Sequence, residues 1–330
     1  MALDQQLWQD RLSALAAEHG VVGASLAIAQ GDELLEAATG VLSTRTAQPV
    51  TTDSVFQIGS ITKVWTATLA MQLVDDGLLD LDAPIIRYLP DVALAHPELT
   101  QQVTARHLLA HTSGIAGDFF PDTGRGDDCL ERFVALMADL PASHPLGATM
   151  SYCNAGYVLL GRLVEVLRDA TWDEVLRERL FQPLGLEAAG TLPEEALLWG
   201  AAAGHVTPPG AASPVVAPMW GLARNAGPAG LIHARARDVV AFARMHLADG
   251  VTAGGSRVLS PESARAMRTP QVPVPDRWTF GDSWGLGWIL PEWDGRRLLA
   301  HDGSTLGQAA FLRALPGRPD LVAALLTKDR

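Results

Sequence analysis

The chain has 330 residues, room for roughly two domains or one large α/β domain with an inserted lobe, and a hydrophobic content of 48% supplies a sizeable core. A net charge of −12, with no run of basic residues to offset it, argues against a nucleic-acid or anionic-membrane surface, since both demand clustered Lys and Arg. Two cysteines, Cys129 and Cys153, form neither a disulfide framework nor a metal cluster, and no apolar run approaches the roughly 18 residues of a membrane span.

The first twenty residues lack a basic segment followed by an apolar one, so no secretory leader is read and the cytoplasm is the expected compartment. Leu7, Trp8, Leu12, Leu15 and Ala16 recur at helical spacing and predict an amphipathic helix. "VVGASLAIAQ" and "LLEAATGVLS" then read as a hairpin turning at Gly31-Asp32. "SVFQIGS" is short and extended. It leads into a long helical pattern, "ITKVWTATLAMQLVDDGLL", whose apolar face carries Val64, Ala67, Met71, Val74 and Leu78, with Gly77 as end signal. Residues 81–205 read as mostly helical, through "RHLLAH", "CLERFVALMADL", "AGYVLLGRLVEVLRDA" and "TWDEVLRERLF". Residues 201–230, rich in Ala, Gly and Pro, predict surface loops. Two more helices follow, "ARDVVAFARMHLADG" and "SPESARAMRT", the second capped by Ser260 with Pro261 at its first position. "WGLGWIL", "RRLLAHDG", "AAFLRALP" and "LVAALLTK" are four extended segments separated by turn chemistry.

Strands, then helices, then strands pack most simply as an α+β fold. An antiparallel sheet is assembled from both ends of the chain, flanked by helices, with a mostly helical lobe inserted. The sheet region is expected over 1–75 and 280–330, and the inserted lobe over 76–279.

Of the 25 basic residues only Lys63 and Lys328 are lysine. Arginine stays protonated at any working pH, whereas a desolvated lysine can lose its proton and act as a base. Lys63 follows Ser60 by three residues at a predicted helix start, on the same helix face, where the amine can reach back to the hydroxyl. Serine is a poor nucleophile until a base takes its proton, and a helix N-terminus favours negative charge developing nearby. A lone S-x-x-K is common by chance, so two further features carry weight. Tyr152 and Asn154 stand two apart before a predicted helix, placed to offer donor and acceptor groups to one cleft. His301, Gly303 and Ser304 lie along a strand whose glycine allows close approach to the backbone.

The ordered set S-x-x-K, Y-x-N and H-x-G resembles the serine β-lactamase-like superfamily, which groups class C β-lactamases, penicillin-binding peptidases, D-aminopeptidases, esterases and acyltransferases. "FQIGSITK", "ARHLLAHTSGI", "GPAGLIHARARDVVAFARM" and "SWGLGWIL" add to a likeness spanning about residues 20–328. It implies a β-lactamase/transpeptidase-like fold. It further implies Ser60 as the acylated nucleophile, Lys63 as the group that takes or relays its proton, and Tyr152 as the phenol serving leaving group and water. Asn154 would bond a substrate carbonyl and steady Lys63. The N–H groups of Ser60 and Ser304 would form an oxyanion hole, with His301 and Gly303 on the substrate side.

Where penicillin-recognising members carry lysine, this chain has His301, ordinarily near pKa 6.5 and mostly neutral at pH 7. The expectation is therefore a serine hydrolase acting on an ester, small amide or peptide, with no cofactor, metal, nucleic acid or membrane partner. Acyl transfer, weak β-lactam hydrolysis and a silent ligand-binding module are the alternatives. Arg330 directly follows the last strand where relatives continue into a C-terminal helix, so the resemblance implies a possible fragment. His107 and His111 have a zinc-like spacing but no third ligand, and a structural role is expected for both. One of Trp220, Trp284 and Trp288 is expected in an acyl pocket lined by loops 115–128 and 205–228.

Overall fold

The structure, a computed structural model, describes residues 3–211, 213–317 and 320–328. Helix α1 (Gln5–Glu18) precedes the hairpin of β1 (Gly23–Gln30) and β2 (Glu33–Gly40). The remaining main-sheet strands come late: β3 (Val272–Pro273), β4 (Ser283–Trp284), β5 (Ile289–Leu290), β6 (Leu299–Thr305), β7 (Gln308–Leu315) and β8 (Leu321–Lys328). They form an eight-stranded antiparallel sheet in the order β2-β1-β8-β7-β6-β5-β4-β3, so β8 docks between β1 and β7 and ties the two ends of the chain together.

Period-two alternation builds both faces. Val322, Ala324 and Leu326 of β8 join the main core, while Ala323 and Leu325 turn to the other face with Leu26, Ile28, Leu35 and α1. Helix α1 buries only Leu12 and Ala16; Leu7 and Leu15 are exposed, so its apolar stripe is narrower than the sequence suggests. The main-core face is covered by α4 (Ala236–Leu247), which packs on β1, β7 and β8, and behind it lie α2 (Thr62–Asp75) and α3 (Asn154–Arg168).

Several expectations shift. Helix α4 and strand β3 lie inside the expected lobe of 76–279, yet α4 packs on the sheet and β3 extends it. Helix α2 is buried from Thr62 through Leu73, because lobe helix α3 and segment 227–230 pack on it and α4 stacks Phe242 on Trp65 and sets His246 against Thr68. "WGLGWIL" breaks into β4 and β5 at Gly287, whose φ of +94° reverses the chain. The stretch 110–128 is irregular rather than helical, as is 141–153. No helix among the described residues is long and apolar enough to cross a membrane.

Candidate active site

The short strand Phe56–Gln57 pairs with His233–Ala234, and a 3-10 turn over Gly59–Ile61 delivers Ser60 to the start of α2. Gly59 has a φ of +52°, and a Cβ there would lie 2.5 Å from Ser304 N. A Cβ on Gly303 would lie 1.9 Å from Ile58 O and 2.8 Å from Ser60 N. Two glycines thus let β6 press its backbone against the turn that carries Ser60, which brings the Ser60 and Ser304 amides to one place. Ser60 is partly exposed and Ser304 exposed, whereas Ile58, Gly59 and Ile61 are buried.

Segment 228–232 is stitched along one face of α2. Thr66 donates to Pro228 O at 2.8 Å, Lys63 Nζ donates to Ala229 O at 2.7 Å, and Thr62 Oγ1 accepts from Ile232 N–H at 3.1 Å. The same Lys63 Nζ stands 3.1 Å from Ser60 Oγ. The amine is wholly buried, and desolvation pulls its pKa down to about 7, a shift opposed by the nearby Cys153 thiol. The neutral amine is therefore accessible near neutral pH.

Tyr152 is positioned by His111, a buried residue with φ of +57°. His111 O accepts from Ser151 N–H at 2.8 Å, its Nδ1 accepts from Cys153 N–H at 2.9 Å, and its ring lies 4.5 Å from the Tyr152 ring. Phe280 stacks on Tyr152, at 5.2 Å and 7° between planes. Lys63 Nζ sits 4.8 Å from the Tyr152 ring centroid. Burial raises the Tyr152 phenol well above its ordinary range, and the adjoining Ser60 hydroxyl works against that rise. Tyr152 is accordingly a protonated donor at neutral pH.

His301 is buried beside Trp284 and Tyr152, with ring centroids 5.6 and 6.5 Å away. Its Nδ1 donates to Asp302 O at 2.7 Å, and its Nε2 has no partner among the described residues. Desolvation first, and then the Lys63 charge, bring its pKa down to about 3, so the imidazole is neutral.

Ser60, Lys63, Tyr152, His301, Gly303 and Ser304 converge. Asn154 opens α3 beside Tyr152, but Lys63 is held by Ala229 O in place of the Asn154 amide, which makes no hydrogen bond among the described residues. Sequence reading missed Ala229 and Phe280; the quoted "GPAGLI" was the available signal for the first. Cys153 caps α3 by accepting from Gly156 N–H, and burial pushes its thiol up to about 11, the behaviour of a packed thiol. His107 Nδ1 pairs with Thr104 Oγ1 at 2.8 Å in a helix cap, and no metal-binding cluster occurs among the described residues. Trp284 packs on the site rings, and Trp288 packs away from it on Phe242 and His246.

The sequence model of the Beta-lactamase family matches residues 8–330. The chain belongs to that family. It is 52% identical over 329 residues to "Penicillin-binding protein 4" of Amycolatopsis lactamdurans, covering 99% of this chain and 86% of that protein. Among solved structures it resembles SurE, with a TM-score of 0.83 and 34% identity, over 99% of this chain and 73% of that one. It also resembles the D-amino acid amidase of Ochrobactrum anthropi, with a TM-score of 0.81 and 26% identity, over 98% and 90% of the two chains. The α+β, β-lactamase-like fold expected from the sequence is the one observed, and the chain is a serine hydrolase of this family.

Proposed function

We propose that Ser60 is the acylated nucleophile and that the substrate is an ester or a small amide. The observation that carries this reading is the buried Lys63 amine, 3.1 Å from Ser60 Oγ with its pKa brought down to about 7. In the neutral form the amine donates to Ala229 O and turns its lone pair to the Ser60 hydroxyl. Lys63 takes the hydroxyl proton as Oγ bonds to the carbonyl carbon. The resulting oxyanion faces the N–H groups of Ser60 and Ser304, where a well-aimed donor is worth about 3 kcal/mol. As the carbonyl re-forms, the leaving group departs with a proton from the Tyr152 phenol, which Lys63 restores. Water then attacks the acyl-enzyme, giving its proton to the Tyr152–Lys63 pair, which passes it to the departing Ser60 Oγ as the acid is released.

A neutral His301 supports uncharged substrates over β-lactams, because no fixed cation at that position faces a substrate carboxylate. The likeness to a D-amino acid amidase supports small amides alongside esters. Incubation with a p-nitrophenyl ester or an aryl phosphonate should add mass at Ser60. Ser60→Ala should lose the label and at least about 10³-fold in turnover; retention of both would remove Ser60 from the mechanism.

A further inference from the structure

Next to the Ser60 turn lies a cavity of about 250 Å³ lined by Gln57, Asp122, Leu192, Trp220, Leu222 and Leu231. Gly230 links it to the nucleophile: a Cβ there would lie 3.8 Å from Gly59 C and 3.7 Å from Leu222 Cδ1. The walls are mostly apolar, and Leu222 and Met219 are exposed at its edge.

Its base is polar and unsatisfied. Gln57 is 3% exposed, and its Nε2 has no hydrogen-bond partner among the described residues. Gly221, at φ +92°, abuts that Nε2 with nothing larger than a hydrogen, and Gln57 is one of the residues lining the cavity. His233, directly opposite Gln57 in the ladder, also has both ring nitrogens unpartnered among the described residues, but its ring edge faces Gly190 and it lies behind Trp220, outside the cavity wall. A buried polar group left without a partner is costly, and one in the wall of a cavity beside a nucleophile is best explained by a ligand group that completes it.

The charges at the cavity limit what that group can be. Arg125 is taken by Glu194, and Arg224 by Asp127 and Asp173, while Asp122 has no cationic partner among the described residues. An anionic ligand tip would meet a carboxylate and no free cation. An apolar cavity of about 150 Å³ holds a benzene molecule, so 250 Å³ holds an aromatic ring with a substituent. A hydroxyl both donates and accepts, and can pair with the Gln57 amide whichever end faces it.

Building on the Ser60 acyl-enzyme, we propose that this cavity is the acyl subsite and takes an aromatic ring bearing a neutral hydroxyl. The probes are p-nitrophenyl esters of acetic, phenylacetic, 4-hydroxyphenylacetic and 4-carboxyphenylacetic acids. The hydroxyl should raise kcat/KM about fivefold over the phenylacetyl ester, the worth of one hydrogen bond, and the carboxylate should lower it. Gln57→Leu should bring the hydroxyphenyl-to-phenyl ratio to about one. Should that buried variant not fold, Leu222→Trp, at an exposed position, should lower the arylacetyl-to-acetyl ratio at least about tenfold by filling the cavity. A carboxylate preferred over the hydroxyl, or ratios untouched by the variants, would overturn the subsite. Turnover of these esters by Ser60→Ala would instead overturn the nucleophile.

Discussion

The chain's two lysines are both wholly buried, and desolvation lowers both to about 7, yet their surroundings differ. Lys63, in the first turn of α2, has Ser60 Oγ at 3.1 Å, the Ala229 carbonyl at 2.7 Å and the Tyr152 ring at 4.8 Å. Lys328, the last residue of β8, donates to the Val41 carbonyl, with buried His205 in its neighbourhood. Burial makes either amine a base; among the described residues only Lys63 has a hydroxyl within hydrogen-bond reach to act on. A perturbed pKa marks a candidate, and the group within reach of the amine decides what it does.

The largest effect that could break this comparison is Lys63→Arg. The guanidinium keeps the charge and cannot shed its proton, so kcat/KM should fall by about 10³-fold, within the range for losing a general base. In the parent enzyme kcat/KM should rise with pH through about 7 as Lys63 loses its proton, and the variant should lack that limb. A variant retaining both rate and limb would show that another group takes the Ser60 proton.

Tyr152→Phe sharpens the same contrast with a smaller loss, about 10²-fold. The ring stays against His111, Phe280 and Lys63, so the surroundings that set the lysine are kept while the phenolic proton is removed. A pH-rate profile should keep its limb near 7 at a lower plateau. Movement of the limb with an unchanged plateau would make the phenol an electrostatic neighbour of Lys63 with no part in proton delivery.

What the sequence revealed of this site follows the range of the interactions involved. The spacing of Ser60 and Lys63 is a single helix turn, and the Ser260 cap, confirmed by Ser263 N–H donating to its hydroxyl, is equally local. Strands β6 to β8 were legible because each is an extended run of seven or eight residues set off by turn chemistry. The Ala229 carbonyl that holds Lys63 lies 166 residues away, beyond any periodic signal. The same holds for His111 setting Tyr152 across 42 residues to Cys153, and for α4 crossing from the helical stretch to the sheet. Helix α2 misled because a helix buried on all sides has no polar face to outline its apolar one. The Lys328 position had no account from sequence; its role as a buried donor to Val41 O depends on β8 running beside β1, at the edge of the turn after β2.

The smallest effect concerns that second lysine and is read in stability. An ordinary lysine titrates near 10.4 in the unfolded chain and Lys328 near 7 in the folded one. Between those values the unfolded chain holds a proton that the folded chain lacks, so stability rises with pH across the window. Below about 7 both forms are protonated and the contribution levels off at its least favourable value. Each such lysine adds about 1.4 kcal/mol per pH unit to the slope. Lys328→Met should remove one lysine's share of that slope, measured by urea unfolding from pH 7 to pH 10, while the limb of kcat/KM near pH 7 persists. A slope unchanged by the substitution would mean that Lys328 is solvated and charged in the folded protein, and the likeness between the two amines would then end at their sequence rarity.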